Sequence, residues 1–141
     1  VNAMLSFGYT MLAKEMMAAC ANVGLDPLFG FFHRIEPGRP SLALDLMEPF
    51  RPLIVDSLVI RALNTQEIRM DDFYIGQDSC QMKKHTRNRF FGIYERRLHE
   101  TLTHPVFGYK LSYRRVLELE VRFLARFLQG ELPEYRPVVT R

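Results

Sequence analysis

Between Asn2 and Asn22 the chain carries only two charges, Lys14 and Glu15. Met4, Leu5, Met11, Leu12, Met16 and Met17 are strong helix formers at helical spacing. A helix that is apolar nearly all round is stable only when buried. The rest of the chain therefore has to wrap around this stretch. Gly24 stands where a C′ glycine ends a helix, and Asp26-Pro27 marks a turn. Leu28 to Phe32 is a short apolar run, read as a second helix ending at His33.

Glu36-Pro37-Gly38-Arg39-Pro40 is loop by composition. Ser41 is a plausible N-cap for a helix running to about Asn64 through Leu53, Ile54, Val55, Leu58, Val59, Ile60 and Leu63. Pro49 and Pro52 fall inside it, and each costs ~3 kcal/mol or more in a regular helix interior. The spacing predicts a kink, or a break into two helices, just after Glu48. Such a kink would free carbonyls and re-aim Glu48. Asp45 and Glu48, three residues apart, should share one helix face. Leu42, Leu44, Leu46, Met47 and Phe50 should shelter it. Two sheltered carboxylates repel unless one is protonated or a cation sits between them. With His33 they form a reasonable divalent-metal set. The plainer alternative is a helix start whose acids favour the positive end of the dipole, with His33 a satisfied core histidine.

Residues Glu67 to Ile75 read as a mixed segment, a short helix with Met70 and Phe73 inward. Gly76 to Met82 reads as a short strand or turn. Asp71-Asp72 should cap a turn or helix. An amphipathic helix follows the basic run Lys83 to Arg89. Phe90, Tyr94 and Leu98 form its inner stripe, with Phe91 and Leu102 beside them, and His104-Pro105 ends it. A last helix spans about Ser112 to Gln129, closed by Gly130 and Pro133, with Glu118 and Arg122 paired. An extended tail follows. No repeat or linker appears, so residues 1–141 read as a single all-α domain.

Charged residues make up 25% of the chain and hydrophobic ones 48%, a globular composition rather than a disordered one. The net charge of +3 matters less than its placement. Lys83, Lys84, Arg87, Arg89, Arg96 and Arg97 face only Glu95 in their segment. Arg114, Arg115, Arg122 and Arg126 decorate the last helix. Phe90, Phe91, Tyr94, Tyr109 and Tyr113 are interleaved. Such a stripe suits a nucleic-acid backbone; a solvated helix face is the competing reading. His85, His99 and His104 read as surface histidines. Cys20 and Cys80 make no CxxC pair, so a reduced intracellular compartment is the simplest reading. No P-loop, GxGxxG or HExxH is present, and no apolar run is long enough to span a membrane. The opening Val-Asn reads as the continuation of a longer protein.

Several blocks, in this order, resemble one family. They are Asn2-Ala-Met-Leu-Ser-Phe-Gly-Tyr-Thr-Met-Leu, Gly24-Leu-Asp-Pro, Gly30-Phe-Phe-His and Ser41-Leu-Ala-Leu-Asp-Leu-Met-Glu-Pro-Phe-Arg-Pro. Arg87-Asn-Arg-Phe-Phe, Tyr94-Glu-Arg-Arg-Leu and Tyr135-Arg-Pro continue the likeness. The chain resembles the catalytic, helical C-terminal part of the CRISPR-associated integrase, the nuclease-integrase of spacer acquisition. The family's N-terminal β-domain would then be absent. The resemblance implies a metal-dependent DNA endonuclease and integrase that inserts foreign DNA fragments as new spacers into a CRISPR array in the prokaryotic cytoplasm. It implies Mg²⁺ or Mn²⁺ held by His33 and Glu48, with Asp45 the nearby second acid, and a further glutamate upstream of Asn2. It implies partners as well: DNA, a second copy in a homodimer and a small ferredoxin-like adaptation protein. From their chemistry, Arg39, Arg51, Lys83, Lys84, Arg87 and Arg89 are the candidate DNA contacts. The competing account is a non-enzymatic helical domain binding nucleic acid or a partner.

Overall fold

The computed structural model describes residues 1–25, 41–105 and 108–132. Helix α1 spans Asn2–Val23, and Gly24 closes it at φ 90° in the left-handed region, where glycine carries no Cβ penalty. Its buried positions are Met4, Gly8, Leu12, Met16 and Cys20. A four-residue repeat on a 3.6-residue helix turns by about 40° at each step. The buried stripe therefore winds around α1, and different elements cover it along its length. These are α2 (Ser41–Met47), a π-helical segment (Arg51–Asp56), α5 (Tyr113–Leu128) and strand β2 (Cys80–Met82). The helix is not buried all round as its composition predicts: Ser6, Thr10, Lys14 and Ala18 form an exposed stripe along it.

The chain breaks where the prolines stand. Helix α2 ends at Met47, Glu48–Phe50 form a 3₁₀ turn, Arg51–Asp56 form the π-helical segment, and α3 runs Ser57–Asn64. Pro49 and Pro52 each fall in the first turn of their short helix, where a missing backbone donor costs least. The π-helical segment comes within contact of α1 because residue 8 is glycine. A Cβ there would stand 2.5 Å from Val55 Cγ1 and 3.4 Å from Phe90 Cζ. Phe7 meets Phe90 edge-on at 5.6 Å between ring centroids.

Helix α4 spans Lys84–His99 and buries Phe90, Ile93, Tyr94 and Leu98. Arg114 of α5 reaches both Glu15 of α1 at 2.9 Å and Glu95 of α4 at 3.0 Å, tying three helices at one edge of the core. Ser112 caps α5, its side chain accepting from the Arg115 backbone N–H at 3.2 Å. Gly130 follows the helix at φ 80°, and Arg122 and Glu118 pair at 3.0 Å.

The fold is mainly helical rather than all-α, because two antiparallel hairpins interrupt it. Strand β1 (Phe73–Ile75) pairs with β2 in the register Phe73↔Met82, Ile75↔Cys80. Strand β3 (Thr101–Thr103) pairs with β4 (Lys110–Ser112) in the register Thr101↔Ser112, Thr103↔Lys110. Three further expectations are corrected. The helix after the basic run begins inside it, at Lys84, and ends at His99. The β-branched Thr-Leu-Thr that follows prefers the pleated strand to a helix, so Leu102 lies on β3 rather than on the helix. Residues Met70–Asp72 form only one 3₁₀ turn, and Met70 is 72% exposed. His104 is 1% exposed, against the rim of Phe123 at 6.2 Å. The expected helix Leu28 to Phe32, the loop 36–40 and the tail after Pro133 lie outside the described residues.

Candidate metal and nucleic-acid site

Asp45 and Glu48 lie on either side of the helix break, and their surroundings differ. Asp45, within α2, is 8% exposed. The Glu48 side chain is 51% exposed and pairs with Arg51, Nη1 to Oε1 at 2.9 Å. The break falls just before Glu48 rather than just after it, and the shelter expected for both acids holds for Asp45 alone. Glu48 is the first residue of the 3₁₀ turn, after α2 has ended at Met47, and half of its side chain is open to solvent. His33 and Arg39 lie outside the described residues. Among the described residues no group of three or more His, Cys, Asp or Glu is placed to hold a metal ion. Asp45 and Glu48 supply hard oxygen donors of the kind Mg²⁺ and Mn²⁺ take; a complete set needs donors beyond them.

Arg51 is itself supported. Its Cζ stands 4.1 Å from the centroid of the Tyr9 ring. The Tyr9 hydroxyl donates to Asp56 Oδ1, and that hydrogen bond raises the Tyr9 phenol above its ordinary pKa. On the opposite side of the π-helical segment, Arg97 of α4 donates to the Leu53 carbonyl from both Nε and Nη2. Ser57 Oγ donates to the same carbonyl at 2.6 Å.

The basic residues divide into two sets. Arg61 and Arg97 share Glu100, whose carboxyl is held below its usual range first by the hydrogen bond from Arg61. Arg96 pairs with Glu67, Arg89 with Asp72, and Arg115 and Arg122 with Glu118. Asp72 also accepts the Arg69 backbone N–H at 2.8 Å, the largest cause of its lowered pKa, and so caps its turn. Arg89, a candidate DNA contact, is thus largely committed within the protein. Lys84 and Arg87 have no carboxylate within ion-pairing distance among the described residues. They line a cleft of ≈ 610 Å³ with Ser6, Phe7, Thr10 and Tyr74. Lys83 stands beside it, its Nζ 5.4 Å from the centroid of the Tyr74 ring. These uncompensated charges therefore sit together at one concavity between α1, the β1–β2 hairpin and the start of α4.

The family description that matches residues 1–96 reads CRISPR associated protein Cas1. The chain belongs to the Cas1 family. A Cas4 exonuclease/Cas1 endonuclease fusion of Geobacter sulfurreducens is 52% identical over 141 residues, which is all of this chain and 25% of the fusion. A solved casposase bound to integration product superposes at TM-score 0.86 with 30% identity, over 99% of this chain and 41% of the casposase chain. The partial Cas6-RT-Cas1–Cas2 complex superposes at TM-score 0.80 with 25% identity, over 97% of this chain and 41% of that one. The chain thus spans well under half the length of these Cas1 relatives.

The sequence singles out Arg51, Lys84 and Arg87 but not Tyr9 or Asp56, and it places Arg97 in the basic stripe, whereas the structure turns Arg97 inward to Leu53. Tyr9 and Asp56 are 47 residues apart, and Arg97 and Leu53 are 44 apart.

Proposed function

We propose that this chain is the helical catalytic part of a Cas1 integrase. In that role it takes part in metal-dependent DNA cleavage and joining that inserts DNA fragments as spacers into a CRISPR array. The observation that carries the reading is the break at Glu48. It presents a carboxylate at the surface one turn from the mostly buried Asp45, within the Ser41 to Pro52 segment that bears the family resemblance.

Asp45, Glu48 and His33 would hold the cation, Mg²⁺ or Mn²⁺, together with a donor contributed from outside this stretch. A bound divalent cation supplies Lewis-acid polarisation of a phosphoryl oxygen and stabilises a departing oxyanion. The protein's own contribution is to hold the strand. Lys84 and Arg87 offer charge to phosphates without an internal carboxylate to give up, and Lys83 stands beside them. Arg39 and Arg51 are further candidates; Arg89 would have to leave Asp72 first. A homodimer joined by a small ferredoxin-like adaptation protein is the assembly proposed for the whole protein.

In the full-length protein, His33→Ala should abolish Mn²⁺-dependent strand transfer while leaving DNA affinity nearly unchanged. Strand transfer at the wild-type rate in that variant would remove His33 from the site.

A further inference from the structure

Glu48 already has a cation, and that cation is held in place. Arg51 contacts it at 2.9 Å. The guanidinium lies over the Tyr9 ring at 4.1 Å, and the Tyr9 hydroxyl is tied to Asp56. Tyr9 belongs to α1 and Asp56 ends the π-helical segment, two elements packed against each other. The perch is therefore built from the rigid centre of the fold rather than from a loop. A cation on an aromatic face gains from the ring quadrupole, and the fixed ring limits the rotamers Arg51 can explore.

We propose that Arg51 is a resident counter-ion on Glu48, seated on the Tyr9–Asp56 pair, which a divalent cation has to displace. This rests on Glu48 being a cation ligand, as argued above. The Oε1 atom that accepts from Arg51 has its lone pair engaged, and a positive charge at that distance repels a second cation. The displaced guanidinium has a natural destination. Its planar fork matches phosphate oxygens, so a DNA phosphate that takes Arg51 leaves Glu48 open. Cation and DNA then strengthen each other's binding, and the coupling is reciprocal. In the DNA-free protein the arginine keeps Glu48 neutralised, so the site charges with metal chiefly when its substrate is present.

The test is calorimetric titration of Mn²⁺ into the full-length protein, with and without a DNA duplex. Four variants are compared with the wild type. Arg51→Met keeps the apolar stem over Tyr9 and removes the charge. Arg51→Lys keeps the charge. Tyr9→Phe unties the ring from Asp56. Glu48→Gln removes the ligand. Wild type should bind Mn²⁺ several-fold more tightly with DNA than without. Arg51→Met should tighten DNA-free Mn²⁺ binding roughly tenfold, from the loss of one nearby like charge, and should lose the gain from DNA. Tyr9→Phe should move DNA-free affinity in the same direction by a smaller factor, and Arg51→Lys should stay near wild type. DNA-free affinity that is unchanged or weaker in both Arg51→Met and Tyr9→Phe overturns the counter-ion role. Full Mn²⁺ affinity in Glu48→Gln overturns the ligand assignment beneath it, which is a different failure.

Discussion

Arg97 donates to the Leu53 carbonyl oxygen from Nε at 3.1 Å and again from Nη2. One side chain of α4 thus bridges to the π-helical segment before α3. The guanidinium also lies 4.5 Å from the centroid of the Tyr113 ring and pairs with Glu100, so α5 and the C-terminal end of α4 converge on the same group. The side chain is only 12% exposed. Arg97→Ala removes the guanidinium's hydrogen bonds to Leu53 and Glu100, which keep Ser57 and Arg61 as donors, and should cost ~1–3 kcal/mol of stability by urea denaturation. Arg97→Lys should recover less than half of that, because an ammonium cannot form the planar fork. A loss below ~0.5 kcal/mol for the alanine variant would show that water replaces the guanidinium.

Gly8 is the second point where the break depends on distant contact. Alanine at this position puts its Cβ 2.5 Å from Val55 Cγ1. Helix propensity alone favours alanine by about 1 kcal/mol. Overpacking works against it by ~1–3 kcal/mol, so Gly8→Ala should destabilise. Val55→Ala in the same chain removes the obstructing methyl and should rescue part of the loss. Such a negative coupling is read from a double-mutant cycle on thermal or chemical melts; strict additivity would place the clash elsewhere.

His104 gives the fold a pH dependence in a window of its own. Burial holds its pKa below the ordinary 6.5. The unfolded chain therefore takes up a proton near pH 6.5 that the folded chain refuses. Stability is fully present above that pH and falls as the pH drops toward the folded value, by up to ~1.4 kcal/mol per pH unit. Glu100, Asp72 and Glu118 are also depressed, but their contributions are lost only below about pH 4.3, the ordinary carboxylate range. Melts between pH 7 and 5 thus lie above the carboxylate range, and the variant separates His104 from the other three histidines. His104→Gln should flatten the curve across that interval, and an unchanged slope would assign the effect to another group.

The cleft beside the β1–β2 hairpin makes a prediction for DNA. Lys84→Ala and Arg87→Ala should each weaken binding evenly across sequences and lower the slope of log affinity against log salt by about 1. Arg96→Ala, which breaks an internal pair with Glu67, should leave that slope alone. Equal effects from all three would mean that the internal pairs do not withhold charge from DNA.

Composition and spacing determined the long helix Asn2–Val23 with its Gly24 stop, and the loss of regular α-helix at Pro49 and Pro52. Each of these is fixed by residues within a turn or two of one another, where backbone sterics and local periodicity decide. The short strands were less legible. Three residues such as Thr101–Thr103 are too few for a period, and a hairpin partner decides them. The same locality explains the misreading of His104: nothing nearby marks it as buried, and Phe123 of α5, distant in sequence, is one of its neighbours. The charge runs were the least legible part. Arg89, Arg96 and Arg97 look equivalent to Lys84 and Arg87 along the chain. Whether an arginine is free depends on which carboxylate or carbonyl the fold brings within a few ångströms. Asp72, Glu67 and Leu53 come from other elements, so only the tertiary structure could divide structural cations from available ones, and only it could seat Arg51 between Glu48 and Tyr9.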